Sequence, residues 1–167
     1  MAKAVFLDRD ETLNPDPGYI SNPDHFMLYP WVADELKLLK QSGFMLIIVS
    51  NQSGVGRGLI EPKALEAIHQ KLNHLLLFES GIRIDHFAVC IHRPEDACEC
   101  RKPKPKLLLD AALRYGIDLS QSFMIGDRKS DFEAGLNAGV KESFLIQPGD
   151  EASFKLAVAA ILKTETS

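Results

Sequence analysis

Short, nearly unbroken apolar runs recur along the chain, separated by longer stretches whose apolar positions return every three or four residues. "AVFLD" (Ala4–Asp8), "FMLIIVS" (Phe44–Ser50), "HFAVC" (His86–Cys90), "SFMIGD" (Ser122–Asp127) and "ESFLI" (Glu142–Ile146) read as buried strands. Trp31–Gln41, Pro62–Glu79, Pro105–Tyr115 and Ser130–Asn137 read as helices, and Ala152–Lys163 as a last amphipathic one. Their punctuation agrees. Pro62 stands just inside a start, and Gly43, Gly81, Gly116 and Gly139 stand just past ends. Residues Thr164–Ser167 are expected to fray. Strands apolar on both sides, alternating with helices, predict an α/β fold of three layers with a mostly parallel sheet covered on both faces.

In such sheets, ligands sit outside the carboxyl ends of the strands. The predicted ends carry Asp8 and Asp10, Ser50 and Asn51, the loop after Cys90, and Asp127. Side chains two apart in a strand face one way, so Asp8 and Asp10 can share a side of the sheet edge. Two close carboxylates repel unless a cation or a shared proton intervenes. Asp127 adds a third, and hard oxygen donors of this kind suit magnesium, which also binds phosphate oxygens. An isolated Asp-x-Asp is as readily an exposed turn or helix cap. The strand context and Asp127 favour chemistry.

All three cysteines fall between positions 90 and 100, in "CIHRPEDACEC". Three cannot close a disulfide framework. With His92 they offer four soft ligands, Cys90, His92, Cys98 and Cys100, the number a tetrahedral zinc site needs. The alternative is incidental cysteines beside a surface histidine, but the loop is too polar for a core segment. A thiol cluster with no disulfide pattern suits a reducing compartment. "MAKAVFLDRDETLN" lacks a signal peptide's apolar stretch, and no apolar run is long enough to span a bilayer. The cytoplasm is therefore expected. At 167 residues and net charge −4, the chain fits one domain with no general pull toward nucleic acid or membrane.

"DRDETLN", "VSNQSG", "CRKPKP" and "IGDRKSD", in that order, resemble the motif set of the haloacid dehalogenase superfamily, from about Val5 to Gly139. The resemblance implies a Rossmann-like fold and Mg²⁺-dependent phosphate-monoester hydrolysis through an aspartyl-phosphate. It makes Asp8 the nucleophile and Asp10 the general acid/base. Asp8, Asp10 and Asp127 become the Mg²⁺ ligands and Asp131 a supporting carboxylate. Ser50 and Asn51 join the substrate-binding residues, Ser50 as a phosphate-oxygen ligand, and Lys102 becomes the lysine beside the nucleophile. An aspartate at position 10 favours a phosphatase over a dehalogenase. Superfamily members usually have glycine after the second aspartate, where this chain has Glu11.

The "CxH…CxC" pattern before "CRKP" narrows the resemblance to the histidinol-phosphate and heptose-bisphosphate phosphatases. The chain is then expected to be one capless domain, 1–167, with no room for a large cap and a Zn²⁺-stapled loop in its place. "NPDPGYI" and "SNQSGVGRG" resemble the heptose enzymes; the short His92–Cys98 spacing and "IGDR" resemble the histidinol enzymes. The first pair is weighted more, so a phosphorylated sugar is expected, with Arg57 and Arg101 contacting its second phosphate. Gly54, Gly56 and Gly58 are expected to let their loop approach a ligand. A monomer is expected, with no nucleic-acid partner. A non-catalytic binding module on a decayed scaffold is the reading from another class, and retention of Asp8, Asp10, Lys102 and Asp127 argues against it.

Overall fold

The computed structural model describes residues 1–166. Five parallel strands, β1 (Ala4–Leu7), β2 (Met45–Asn51), β3 (His86–Cys90), β4 (Phe123–Gly126) and β5 (Glu142–Leu145), form one sheet in the order β3-β2-β1-β4-β5. The helices are α1 (Val32–Gln41), α2 (Ser53–Gly56), α3 (Pro62–Ser80), α4 (Lys106–Tyr115), α5 (Lys129–Ala138) and α6 (Glu151–Thr164). The strand expectations hold to within a residue or so. Gly81, Gly116 and Gly139 end α3, α4 and α5 in the left-handed conformation that lacks a Cβ penalty. Short α2 was not anticipated. Thr164 ends the last helix rather than fraying, and Ser167 lies outside the described residues.

Alternation along β1 divides the core. Val5 and Leu7 pack with Leu36, Leu72 and Phe154, so α1, α3 and α6 cover one face. Ala4 and Phe6 pack with Leu108, Ala111 and Ala134, so α4 and α5 cover the other. Because both faces are shut, the strands have no use for polar alternation, which is why they read as solid apolar runs. Every strand being parallel, their carboxyl ends share one edge of the sheet. The central strand β1 brings Asp8 to the middle of it, between the ends of β2 and β4.

Candidate active site

A cleft of about 360 Å³ opens at that edge, lined among others by Asp8, Asp10, Asn51, Arg57, Arg101 and Lys102. Asp8 follows β1 directly, its N–H donating to the Ile125 carbonyl at 3.0 Å. The Lys102 ammonium is 3% exposed and donates to Asp8 Oδ1 at 2.9 Å, Asp131 Oδ1 at 2.6 Å and the Val49 carbonyl at 2.7 Å. Burial opposes its charge, but Asp8 and Asp131 outweigh that and hold it above the ordinary lysine value. Burial also pushes the Asp8 carboxyl up, to about 6; Lys102 pulls it down, and the neighbouring Asp127 pushes it up again.

The lysine reaches this position because Asn51 clamps its backbone. Asn51 Oδ1 accepts from Lys102 N–H at 3.1 Å, and its amide nitrogen donates to the Lys102 carbonyl at 3.3 Å. Asn51 thus borders the cleft while fixing the neighbouring loop. Asp131 is equally committed: its second oxygen accepts the Arg128 N–H at 2.9 Å, capping α5. Gly126 makes room for it, since a Cβ there would stand 2.3 Å from the Asp131 Cβ. Asp131 thus meets the lysine that also holds Asp8.

Carboxylate oxygens of Asp8, Asp127 and Asp131 lie within 4.8 Å of one another. Three carboxylates against one ammonium leave two negative charges uncompensated, which a divalent cation offsets. Hard oxygens and this deficit fit Mg²⁺. Asp131 has both oxygens engaged, so Asp8 and Asp127 are the better-placed ligands. The Asp10 carboxylate lies outside this cluster of side-chain oxygens. Its Oδ1 accepts from Arg9 (2.8 and 3.0 Å) and Asn14 (3.0 Å), and its Oδ2 from Gln52 (2.9 Å). Burial raises its pKa, but the Arg9 charge and these bonds prevail and hold it below the usual carboxylate value.

Ser50, Gly56 and Glu11 are each engaged within the protein itself. Ser50 is 1% exposed, and its hydroxyl accepts from Gln52 Nε2 at 2.8 Å. It lies beneath the cleft lining rather than on it. Gly56 serves the protein's own loop: its N–H donates to the Ile91 carbonyl at 3.0 Å, and a Cβ would stand 2.5 Å from that oxygen. Glu11 sits at φ +65°, a conformation glycine adopts freely, and its carboxylate accepts from Asp16 N–H and Tyr29 Oη at 3.0 Å each. It ties loop 15–19 to the chain before α1. Arg57 borders the cleft 3.7 Å from Glu95, and Arg101 borders it with Nη1 buried and unpartnered.

Gln52, Arg9 and Asn14 were missed from the sequence. Gln52 alone left a signal, lying two residues beyond Ser50 at the end of a strand.

The cysteine loop closes on itself. Cys100 Sγ lies 2.9 Å from Cys90 Sγ and 3.7 Å from Cys98 Sγ, and Cys90 Sγ 3.5 Å from Cys98 Sγ. His92 Nδ1 is 3.2 Å from Cys100 Sγ and 3.6 Å from Cys90 Sγ. Zn–S bonds of about 2.3 Å imply tetrahedral edges near 3.8 Å, so four soft donors this close suit Zn²⁺ without rearranging the loop. Cys90 anchors the site in the core at the end of β3, while His92 is exposed. The loop's Pro94 and the following Arg101 both reach the cleft.

A parallel sheet with its aspartates gathered beyond the central strand defines the class as a HAD-like hydrolase, and a HAD-hydrolase-like family model matches residues 99–157. The chain is 46% identical over 144 residues to the D-glycero-β-D-manno-heptose-1,7-bisphosphate 7-phosphatase of Helicobacter pylori, 86% of this chain and 83% of that one. It is 39% identical over 155 residues to the enzyme of the same name from Haemophilus influenzae, 89% and 84% of the two chains. The D,D-heptose 1,7-bisphosphate phosphatase of B. bronchiseptica, solved with magnesium and phosphate, superposes with a TM-score of 0.86 at 30% identity, covering 97% of this chain and 99% of that one. The chain belongs to the HAD-like hydrolases, in the branch represented by these heptose-bisphosphate phosphatases.

Proposed function

We propose that the protein is a Mg²⁺-dependent phosphatase that removes the 7-phosphate of D-glycero-β-D-manno-heptose 1,7-bisphosphate, leaving the heptose 1-phosphate. Its relatives' identity supports the substrate. The observation that carries the chemistry is the buried Asp8–Lys102 contact at the floor of an open cleft.

Asp8 attacks phosphorus. A bond forms from its carboxylate oxygen as the bond to the sugar's 7-oxygen breaks, giving an aspartyl-phosphate. Asp10 delivers a proton to the departing oxygen. In the resting protein Asp10 is held ionised, and an anionic phosphoryl group beside it disfavours that charge and draws a proton onto it. A water molecule then attacks the aspartyl-phosphate while Asp10 takes its proton, which releases phosphate and restores Asp8. Lys102 keeps the nucleophile oriented and offsets repulsion between two anions. Asp8 and Asp127 would hold Mg²⁺, which would supply further charge compensation for the phosphoryl group.

Arg101 and Arg57 provide cations for the 1-phosphate, and the unpartnered Arg101 Nη1 supports that assignment. The Arg57–Glu95 contact is exposed and long enough to yield to a phosphate. Cys90, His92, Cys98 and Cys100 would hold Zn²⁺ in a structural role, since four protein ligands leave no open position. The reading keeps one capless domain, with this loop beside the cleft in place of a cap. The reading retains a monomeric cytoplasmic enzyme with no nucleic-acid partner. Among the described residues, no helix is long and apolar enough to cross a membrane.

Phosphate release from the heptose bisphosphate and from histidinol phosphate, compared under Mg²⁺, tests the assignment. A kcat/KM for histidinol phosphate equal to or above that for the bisphosphate refutes it.

A further inference from the structure

Arg9 is the largest fully buried side chain described, 1% exposed, and stands between Asp8 and Asp10 in the chain. A guanidinium shut away from water needs partners for its N–H groups. Nε and Nη2 donate to Asp10 Oδ1, and the Phe26 ring lies 5.8 Å from Cζ. The remaining corner, Nη1, lies 3.1 Å from Nε2 of His69, sixty residues away on α3.

His69 is 8% exposed and stacks on Phe87, the ring centroids 4.3 Å apart and nearly parallel. Burial first, and the Arg9 charge second, lower its pKa to about 3, so the ring is neutral. A neutral imidazole whose Nε2 faces an N–H donor carries its proton on Nδ1 and accepts at Nε2. No step of the reaction above uses His69. Its placement still has a consequence. Asp10 sits in a short loop held by local backbone bonds, from Glu11 to Asn14 and from Thr12 and Leu13 to Arg9, whereas α3 is a 19-residue helix packed into the core.

Resting on the reading of Asp10 as acid/base, we infer that His69 is a positioning residue for Asp10. By accepting from Nη1 it fixes the rotation of the Arg9 guanidinium, whose other edge holds the Asp10 carboxylate where the proton must be delivered. Rigid α3 thereby sets the geometry of a loop side chain.

Two replacements separate this role from packing. His69→Phe keeps the stacked ring and removes the acceptor. His69→Gln places an amide oxygen near the position of Nε2. In the metal-loaded enzyme with the heptose bisphosphate, His69→Phe should lower kcat on the order of 10-fold, since small misplacements of catalytic groups are that costly. KM should stay within about twofold, and His69→Gln should recover most of kcat. In an Asp10→Asn background, His69→Phe should cost nothing further, because its effect passes through Asp10. Full kcat in His69→Phe, beside a crippled Asp10→Asn, overturns the inference and leaves the proposed function standing. Equal losses in the Phe and Gln variants, or an undiminished His69→Phe penalty in the Asp10→Asn background, assign His69 to packing alone. An active Asp10→Asn enzyme removes the acid/base reading and the inference with it.

Discussion

Lys102 and Asp131 meet at 2.6 Å inside the protein, and the same ammonium lies 2.9 Å from Asp8. One cation therefore holds the nucleophile and its supporting carboxylate together. Removing it leaves two buried carboxylates facing each other, and breaking such a pair costs roughly 3–5 kcal/mol. Lys102→Met should lower unfolding free energy by about that amount in urea titrations and abolish turnover. A variant of wild-type stability would refute the pairing.

Asp8→Asn keeps the shape of the nucleophile and discards its chemistry. Phosphate release should fall to background. Aspartyl-phosphate trapping with a fluoride analogue should label the wild type and not the variant. Near-normal turnover would exclude a covalent intermediate at this residue.

One zinc per chain should appear in metal analysis of protein prepared without chelators. Cys98→Ser should lose most of it, lower the thermal midpoint and reduce kcat/KM, because the loop carries Pro94 to the cleft and leads into Arg101 and Lys102. Mg²⁺ titration should still saturate the variant. Absence of zinc from the wild type would sink the assignment.

Arg101→Ala should penalise a bisphosphate more than a monophosphate. A charge-assisted contact is worth roughly 1.5–3 kcal/mol, so kcat/KM should fall about 10- to 100-fold for the heptose bisphosphate. A generic aryl phosphate should be much less affected. Equal losses on both substrates would place Arg101 on the phosphate being cleaved.

His69 also predicts a pH effect on stability. Its folded pKa, about 3, lies below the unfolded value near 6.5, so its contribution is fully present above the unfolded pKa. As pH falls from 6.5 toward 3, the unfolded chain binds a proton that the folded one refuses. Stability should drop by up to about 1.4 kcal/mol per pH unit from this group. Urea unfolding of wild type and His69→Gln between pH 7 and 4.5 should show a shallower decline in the variant. Parallel curves would contradict a neutral buried ring.

The sheet was legible because its strands are buried on both faces and announce themselves as solid apolar runs. Asp8, Asp127 and Asp131 were legible because each occupies a motif at or soon after a strand end, and Lys102 because it directly follows the cysteine loop. What escaped were residues defined by meetings across the fold. Nothing in "AIHQ" signals that His69 touches Arg9, and nothing in "DRD" signals that Arg9 is turned inward on Asp10. Gln52 lines the cleft while Ser50 lies beneath it, because which side chain at a strand end reaches the cleft depends on the local bend. Glu11 looked like an intruder beside an anionic substrate. Its carboxylate is occupied by the Asp16 N–H and the Tyr29 hydroxyl.

The central contact also bears on how the protein comes into being. Lys102 reaches Asp8 across 94 positions of chain and Asp131 across 29. While the polypeptide is still being made, its first strand emerges with an aspartate whose lysine has not been synthesised, and whose second carboxylate partner comes later still. The reactive group is thus unassembled until Lys102 and Asp131 have both been made. It acquires its partners only once α5 has left the ribosome, so phosphatase activity reports a chain folded through that helix.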